Sequence, residues 1–154
     1  MSDLMRSRRA VLAQLGVLAL TGVLPRTVRA AADPVITVYK SRSCGCCANW
    51  VRHMTAAGFK VNAIDTDDVD AVKAQMGIRP QYASCHTGVI GKYVVEGHVP
   101  ADLVKKLLKE QPVALGLAVP GMPVGSPGME QGPAEHYDVM LLARDGSAKV
   151  FAKR

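Results

Sequence analysis

Apolar and β-branched residues concentrate first at Val35 to Tyr39, a short run that reads as a β-strand. The stretch Ala48 to Ala57 has helical composition and ends at Gly58, a residue type suited to the left-handed C-cap. Phe59 to Ile64 reads as a second strand. Asp65 to Asp70 then supplies capping and first-turn carboxylates for a helix that runs to about Met76 and closes at Gly77. Beyond Arg79-Pro80 the pattern returns to strands, Thr87 to Ile90 and Tyr93 to Glu96, with Gly91-Lys92 between them as a two-residue hairpin turn. Pro100-Ala101-Asp102 opens a third helix, on which Leu103, Val104, Leu107 and Leu108 share one face.

This succession, β-α-β-α-β-β-α, is the order of a thioredoxin-like α/β domain. Val119 to Gly132 interrupts it, because Pro120, Gly121, Pro123, Gly125, Pro127, Gly128 and Gly132 forbid regular structure. A loop of this length inside a compact domain is usually functional or loose. This one carries Met122 and Met129, which favours a functional role. Tyr137 to Leu142 and Ala148 to Phe151 are expected to form a closing hairpin around Asp145-Gly146.

The N-terminus is of another kind. Ser7-Arg8-Arg9-Ala10-Val11-Leu12 reads as a twin-arginine export signal, followed by an apolar stretch to Leu24 and a small-residue cleavage site at Ala30, Ala31 and Ala32. That stretch falls short of the roughly 20 residues of a membrane span. The expected organisation is a signal peptide at 1–32 and one domain at 33–154, exported to the periplasm and free of the membrane once the signal is removed. The plainer alternative is an uncleaved anchor. Five of the basic residues lie in the signal, so of 19 basic and 13 acidic residues about 14 and 12 remain, a net charge of about +2. Nucleic-acid binding thereby loses its main support.

The chemistry sits in Cys44-Gly45-Cys46-Cys47, three thiols within four residues, with a fourth at Cys85. Thiolates are ligands for soft metals and the nucleophiles of disulfide exchange. Four cysteines in an oxidising compartment ordinarily suggest two structural disulfides. The crowding of three in one turn argues against that pairing, since Cys46 and Cys47 are adjacent.

Four segments carry a family resemblance: Cys44-Gly-Cys-Cys47, Ser84-Cys85-His86-Thr87, Glu96-Gly97-His98-Val99-Pro100, and Gly116-Leu-Ala-Val-Pro-Gly-Met-Pro-x-Gly-Ser-Pro-Gly-Met-Glu130. In these the chain resembles the CopG family of small periplasmic copper-resistance proteins. The resemblance implies a thioredoxin-like domain whose C-x-C-C motif binds copper and undergoes redox change.

A cysteine motif at the start of a helix gains from the unpaired N–H groups there, which stabilise thiolates. Cys44 and Cys47 have the spacing of a redox pair, and Cys46 is expected about 100° from Cys47 around the helix. Cys85 is expected to face the motif, the alternative being a buried apolar thiol. His86 alternates to the opposite face of a regular strand and is the weaker candidate. His98 is a candidate ligand or a turn residue, while His53 reads as a solvated helix residue. Met122 is a candidate thioether ligand for Cu(I), with Met129 behind it and surface exposure as the alternative. Trp50 is expected to pack under the motif as a wall. Spacing, the methionines and compartment favour copper, as Cu(I) or a small polynuclear cluster, over zinc or an iron–sulfur centre. Copper ions and periplasmic copper-handling or redox proteins are the expected partners. The rival functions are a metal-free thiol-disulfide oxidoreductase, with Cys44 attacking and Cys47 resolving, and a copper store or chaperone without turnover.

Overall fold

The computed structural model describes residues 34–154, and the expected export signal lies outside the described residues. Its elements are β1 (Ile36–Lys40), α1 (Gly45–Ala56), β2 (Val61–Asp65), α2 (Val69–Gln75), a 3₁₀ turn (Pro80–Tyr82), β3 (His86–Ile90), β4 (Tyr93–Glu96), α3 (Ala101–Glu110), β5 (Gly116–Ala118), β6 (Asp138–Leu142) and β7 (Ala148–Lys153). The expected β-α-β-α-β-β-α succession is present through α3. All seven strands belong to one mixed sheet in the order β2-β1-β3-β4-β5-β6-β7.

Two crossovers shape this sheet. α1 carries the chain from β1 to the parallel β2, and α3 carries it from β4 to the parallel β5. The remaining neighbours are antiparallel. Side chains alternate across each strand, so Val95 joins the larger core with Trp50, Met54, Leu103, Val104 and Leu107, while Val94 joins a smaller one with Ile78, Ala118 and Leu142. α1 and α3 therefore cover one face, and the α2 and 3₁₀ segment covers the other.

One strand was not expected, and one boundary needed correction. β5 lies in Gly116-Leu-Ala, three residues too few for an alternating pattern to show. Only glycine fits at its start, because a Cβ on Gly116 would overlap the backbone of Val94 on the adjoining strand. β5 links the final hairpin to the central sheet. The corrected boundary is that of α1, which begins at Gly45 rather than Ala48 and so takes Cys46 and Cys47 into its first turn.

Candidate metal and thiol centre

Cys44 is the N-cap of α1, with extended φ and ψ of −76° and 100°, and its Sγ accepts the Cys47 backbone N–H at 3.3 Å. Sulfur here takes the place of the oxygen that usually satisfies the first free N–H groups of a helix. No acidic side chain occupies that first turn.

The Sγ atoms of Cys44, Cys46, Cys47 and Cys85 all lie within 4.8 Å of one another. Cys46 Sγ is 3.4 Å from Cys44 Sγ and 3.7 Å from Cys85 Sγ. Cys46 and Cys47 meet despite their angular separation because helix side chains tilt toward the N-terminus, and in the first turn they lean over the open end. Cys44 and Cys47 are joined as a disulfide, leaving Cys46 and Cys85 as free thiols.

Cys85 precedes the first residue of β3, so it is not held to strand alternation. Its Sγ reaches both the cysteines and His98 Nε2, the latter at 2.8 Å. The other nitrogen of His98 lies 2.7 Å from the Pro127 carbonyl. A carbonyl only accepts, so Nδ1 carries the ring proton and Nε2 presents its lone pair to the Cys85 thiol. Burial, reinforced by the neighbouring Cys46, pushes the Cys85 thiol up to about 12. Burial also lowers the His98 pKa, against the opposing pull of the Pro127 carbonyl and Glu130. The pair is thus a protonated thiol donating to a neutral imidazole, and a soft cation would displace that proton.

His86 differs from expectation. It was expected on the face opposite Cys85, yet it turns to the α1 side, where the cysteine motif and Cys85 Sγ also lie. Its ring lies 4.5 Å from the Trp50 ring and 5.0 Å from that of His98, with Nδ1 3.7 Å from Cys85 Sγ. Burial, with His98 and Lys73 adding to it, holds the His86 pKa well below the ordinary value, so it is neutral. Its buried Nε2 has no hydrogen-bond partner among the described residues. Trp50 is the expected wall, buried and donating its indole N–H to Val99 O at 2.9 Å.

The Gly/Pro-rich loop does lie at the site, through its backbone. Pro127 supplies the carbonyl to His98, and Gly128 lies flat on α1: a Cβ there would fall 2.7 Å from Cys46 O and 2.9 Å from Trp50 N. The candidate thioethers are placed otherwise. Met122 is 51% exposed and Met129 half-buried, so surface exposure describes Met122. His53 is corrected too: its Nε2 accepts the Ala101 N–H at 3.1 Å, at the start of α3.

A buried ion pair that the sequence reading missed stands behind Cys85. Lys73 Nζ is 3.0 Å from Glu96 Oε1, both side chains almost wholly enclosed. Lys73 falls at helical spacing with Val69, Val72 and Met76, and a lysine on an apolar stripe was the available signal.

The donor set suits a soft ion. Four sulfurs and two neutral imidazoles gather at a helix N-terminus, and one buried ring nitrogen is left without a partner. Fold and site together define a mixed α/β protein with a cysteine–histidine centre of the kind that fits copper binding.

Residues 82–129 match the model of a family described as "Protein of unknown function, DUF411". Two solved structures, described as copper resistance protein CopG in form 2 and form 1, are each 47% identical to this chain with a TM-score of 0.76. Both cover 80% of this chain, and 99% and 98% of their own length are matched. Comparison with curated proteins returned no match. The chain belongs to the CopG family of copper-resistance proteins.

Proposed function

We propose that this chain is a periplasmic copper-binding protein of copper resistance, taking Cu(I) on Cys44, Cys46, Cys47 and Cys85, with His98 as a nitrogen donor. The reading includes removal of a twin-arginine signal at 1–32 and a thioredoxin-like domain at 33–154, extended by β5 to β7. It is supported above all by the gathering of four sulfurs from two distant segments within 4.8 Å at the end of α1. His98 joins the proposed set more firmly than its sequence signal warranted, since its lone pair faces Cys85 Sγ. Met122 and Met129 remain secondary donors in this reading.

Copper here is substrate rather than resident cofactor. The Cys44–Cys47 disulfide favours coupling copper redox change to dithiol/disulfide interconversion. In the reducing direction the two thiols lose two electrons and two protons and form one S–S bond, while two Cu(II) ions each gain one electron. With the disulfide formed, Cys46, Cys85 and His98 remain to hold Cu(I), a softer ion that thiolate favours, and with it reduced Cys44 and Cys47 complete the set. The reverse reaction takes up the same electrons and protons. Metal-free exchange with a protein dithiol is the second reading, favoured by the same disulfide.

Anaerobic titration of the reduced protein with Cu(I) tests the proposal against Cys46→Ser. The variant should bind fewer copper ions or bind them more weakly, whereas equal stoichiometry and affinity would remove the cluster. Rapid disulfide exchange with a protein dithiol in a chelator, with no Cu(I) uptake, would favour the second reading.

A further inference from the structure

Cys85 has no regular element of its own to hold it. It sits between the 3₁₀ turn and β3, yet its sulfur lies 3.7 Å from Cys46 Sγ and 2.8 Å from His98 Nε2. Hydrogen bonds on either side of it converge on one carboxylate. Glu96 Oε1 accepts the Ser84 backbone N–H at 2.7 Å, and Oε2 accepts the Thr87 hydroxyl at 2.6 Å. Ser84 and Thr87 bracket Cys85 and His86. Lys73, from α2, closes the group by donating to Glu96 Oε1 at 3.0 Å and to Thr87 Oγ1 at 3.2 Å.

Glu96 is fully buried and Lys73 nearly so. Removing two charges from water costs several kcal/mol each, and an apolar pair of similar volume often gives equal or greater stability. Stability alone therefore does not account for charge at this point. A carboxylate does something an apolar residue cannot, because its two oxygens grip a backbone N–H and a hydroxyl three residues apart. The Lys73 ammonium opposes the rise in the Glu96 pKa that burial causes and holds the carboxylate in place. Thr87 is also the cross-strand partner of Glu96, so β3 and β4 register sets the grip.

We infer that Glu96, paired with Lys73, is a positioning residue that fixes Cys85 against Cys46 and His98 by clamping Ser84 and Thr87. The inference rests on the proposed reading of Cys85 as a donor, but the position it describes exists without metal. In the disulfide form only Cys46 and Cys85 are free, so a trivalent arsenical, phenylarsine oxide, reports whether those two thiols lie close enough to be bridged.

The test uses the full chain, with Glu96→Gln and Thr87→Val as variants. Glutamine keeps the shape and one acceptor but leaves Lys73 without its counter-charge. Valine keeps the volume of Thr87 and removes the hydroxyl, and it carries the test should E96Q not fold. Both variants should capture the arsenical more slowly than wild type. Both should also bind Cu(I) roughly tenfold more weakly, as loss of a support behind a metal ligand commonly does. In a Cys85→Ser background neither substitution should weaken Cu(I) binding further, because the effect acts through that sulfur. Equal loss with and without Cys85 would mark a general structural effect and overturn the inference. So would undiminished arsenical capture by the variants, or none by wild type. Normal capture by wild type, slowed capture by the variants and no Cu(I) uptake by any of them would remove the copper reading while leaving the clamp standing.

Discussion

His98 is defined by what its two nitrogens touch. One donates to the Pro127 carbonyl and the other meets the Cys85 sulfur, so backbone geometry chooses the tautomer and leaves a lone pair where a metal would need it. His98→Phe should keep the ring volume and remove the lone pair. The expected outcome is Cu(I) affinity lowered roughly tenfold in chelator competition, with little change in fold by circular dichroism. An unchanged affinity would leave the cysteines as the whole site. In the sequence His98 showed only a glycine before it and Val99-Pro100 after it, and Pro127 is 29 residues away. No local pattern announces such a pair. His86 was read by strand parity with Cys85, which does not apply, because Cys85 precedes β3 and both side chains reach the cysteine motif. What the sequence did not say was which side of the sheet α1 occupies.

At the scale of elements, the two long helices begin in different ways. α1 is capped by its own Cys44 sulfur, while α3 has Pro100 at its N-cap, a residue with no side-chain acceptor. His53, reaching across from α1, accepts the Ala101 N–H in its place. Only neutral imidazole can accept. Burial lowers the His53 pKa below its ordinary value of 6.5, against the pull of Glu130 and Asp102. The folded state therefore binds fewer protons than the unfolded state wherever pH lies between the two values. Its contribution is complete above 6.5 and is lost as pH falls through the lowered folded value. His53→Ala should cost about 1 kcal/mol at pH 7.5, the usual worth of a helix cap, and less at pH 5, as urea unfolding at the two values would measure. A cost independent of pH would show that the ring acts by packing alone. The strands and helices of the β-α-β-α-β-β-α segment were legible because each has its own periodicity and punctuation. β4 matched at both ends, since Gly91-Lys92 and Gly97 bound it. β5 was not legible, being defined by the approach of another strand to Gly116.

Across the whole molecule, the sheet connects the sulfur cluster to a C-terminal extension that contributes none of its cysteines. The loop from Val119 to Tyr137 is tied at one end to β5 and at the other to β6, and between them it lays Pro127 and Gly128 on His98 and α1. Its position at the site thus depends on β5 being seated beside β4, with Val94 opposite Gly116. Gly116→Ala places a methyl group against the Val94 backbone, where no side-chain rotation can relieve it. The expected cost is about 2 to 3 kcal/mol, the range of overpacking in a well-filled interior. Its distribution is the more telling quantity. Hydrogen exchange should accelerate in β5, β6 and β7 while β1 and β3 stay protected, because the latter pair through contacts that do not involve β5. If the loop is held in place from the sheet, Cu(I) affinity should fall with that local opening although no donor has been altered. Retained affinity with an opened extension would mean that the loop is anchored by His98 and α1 alone.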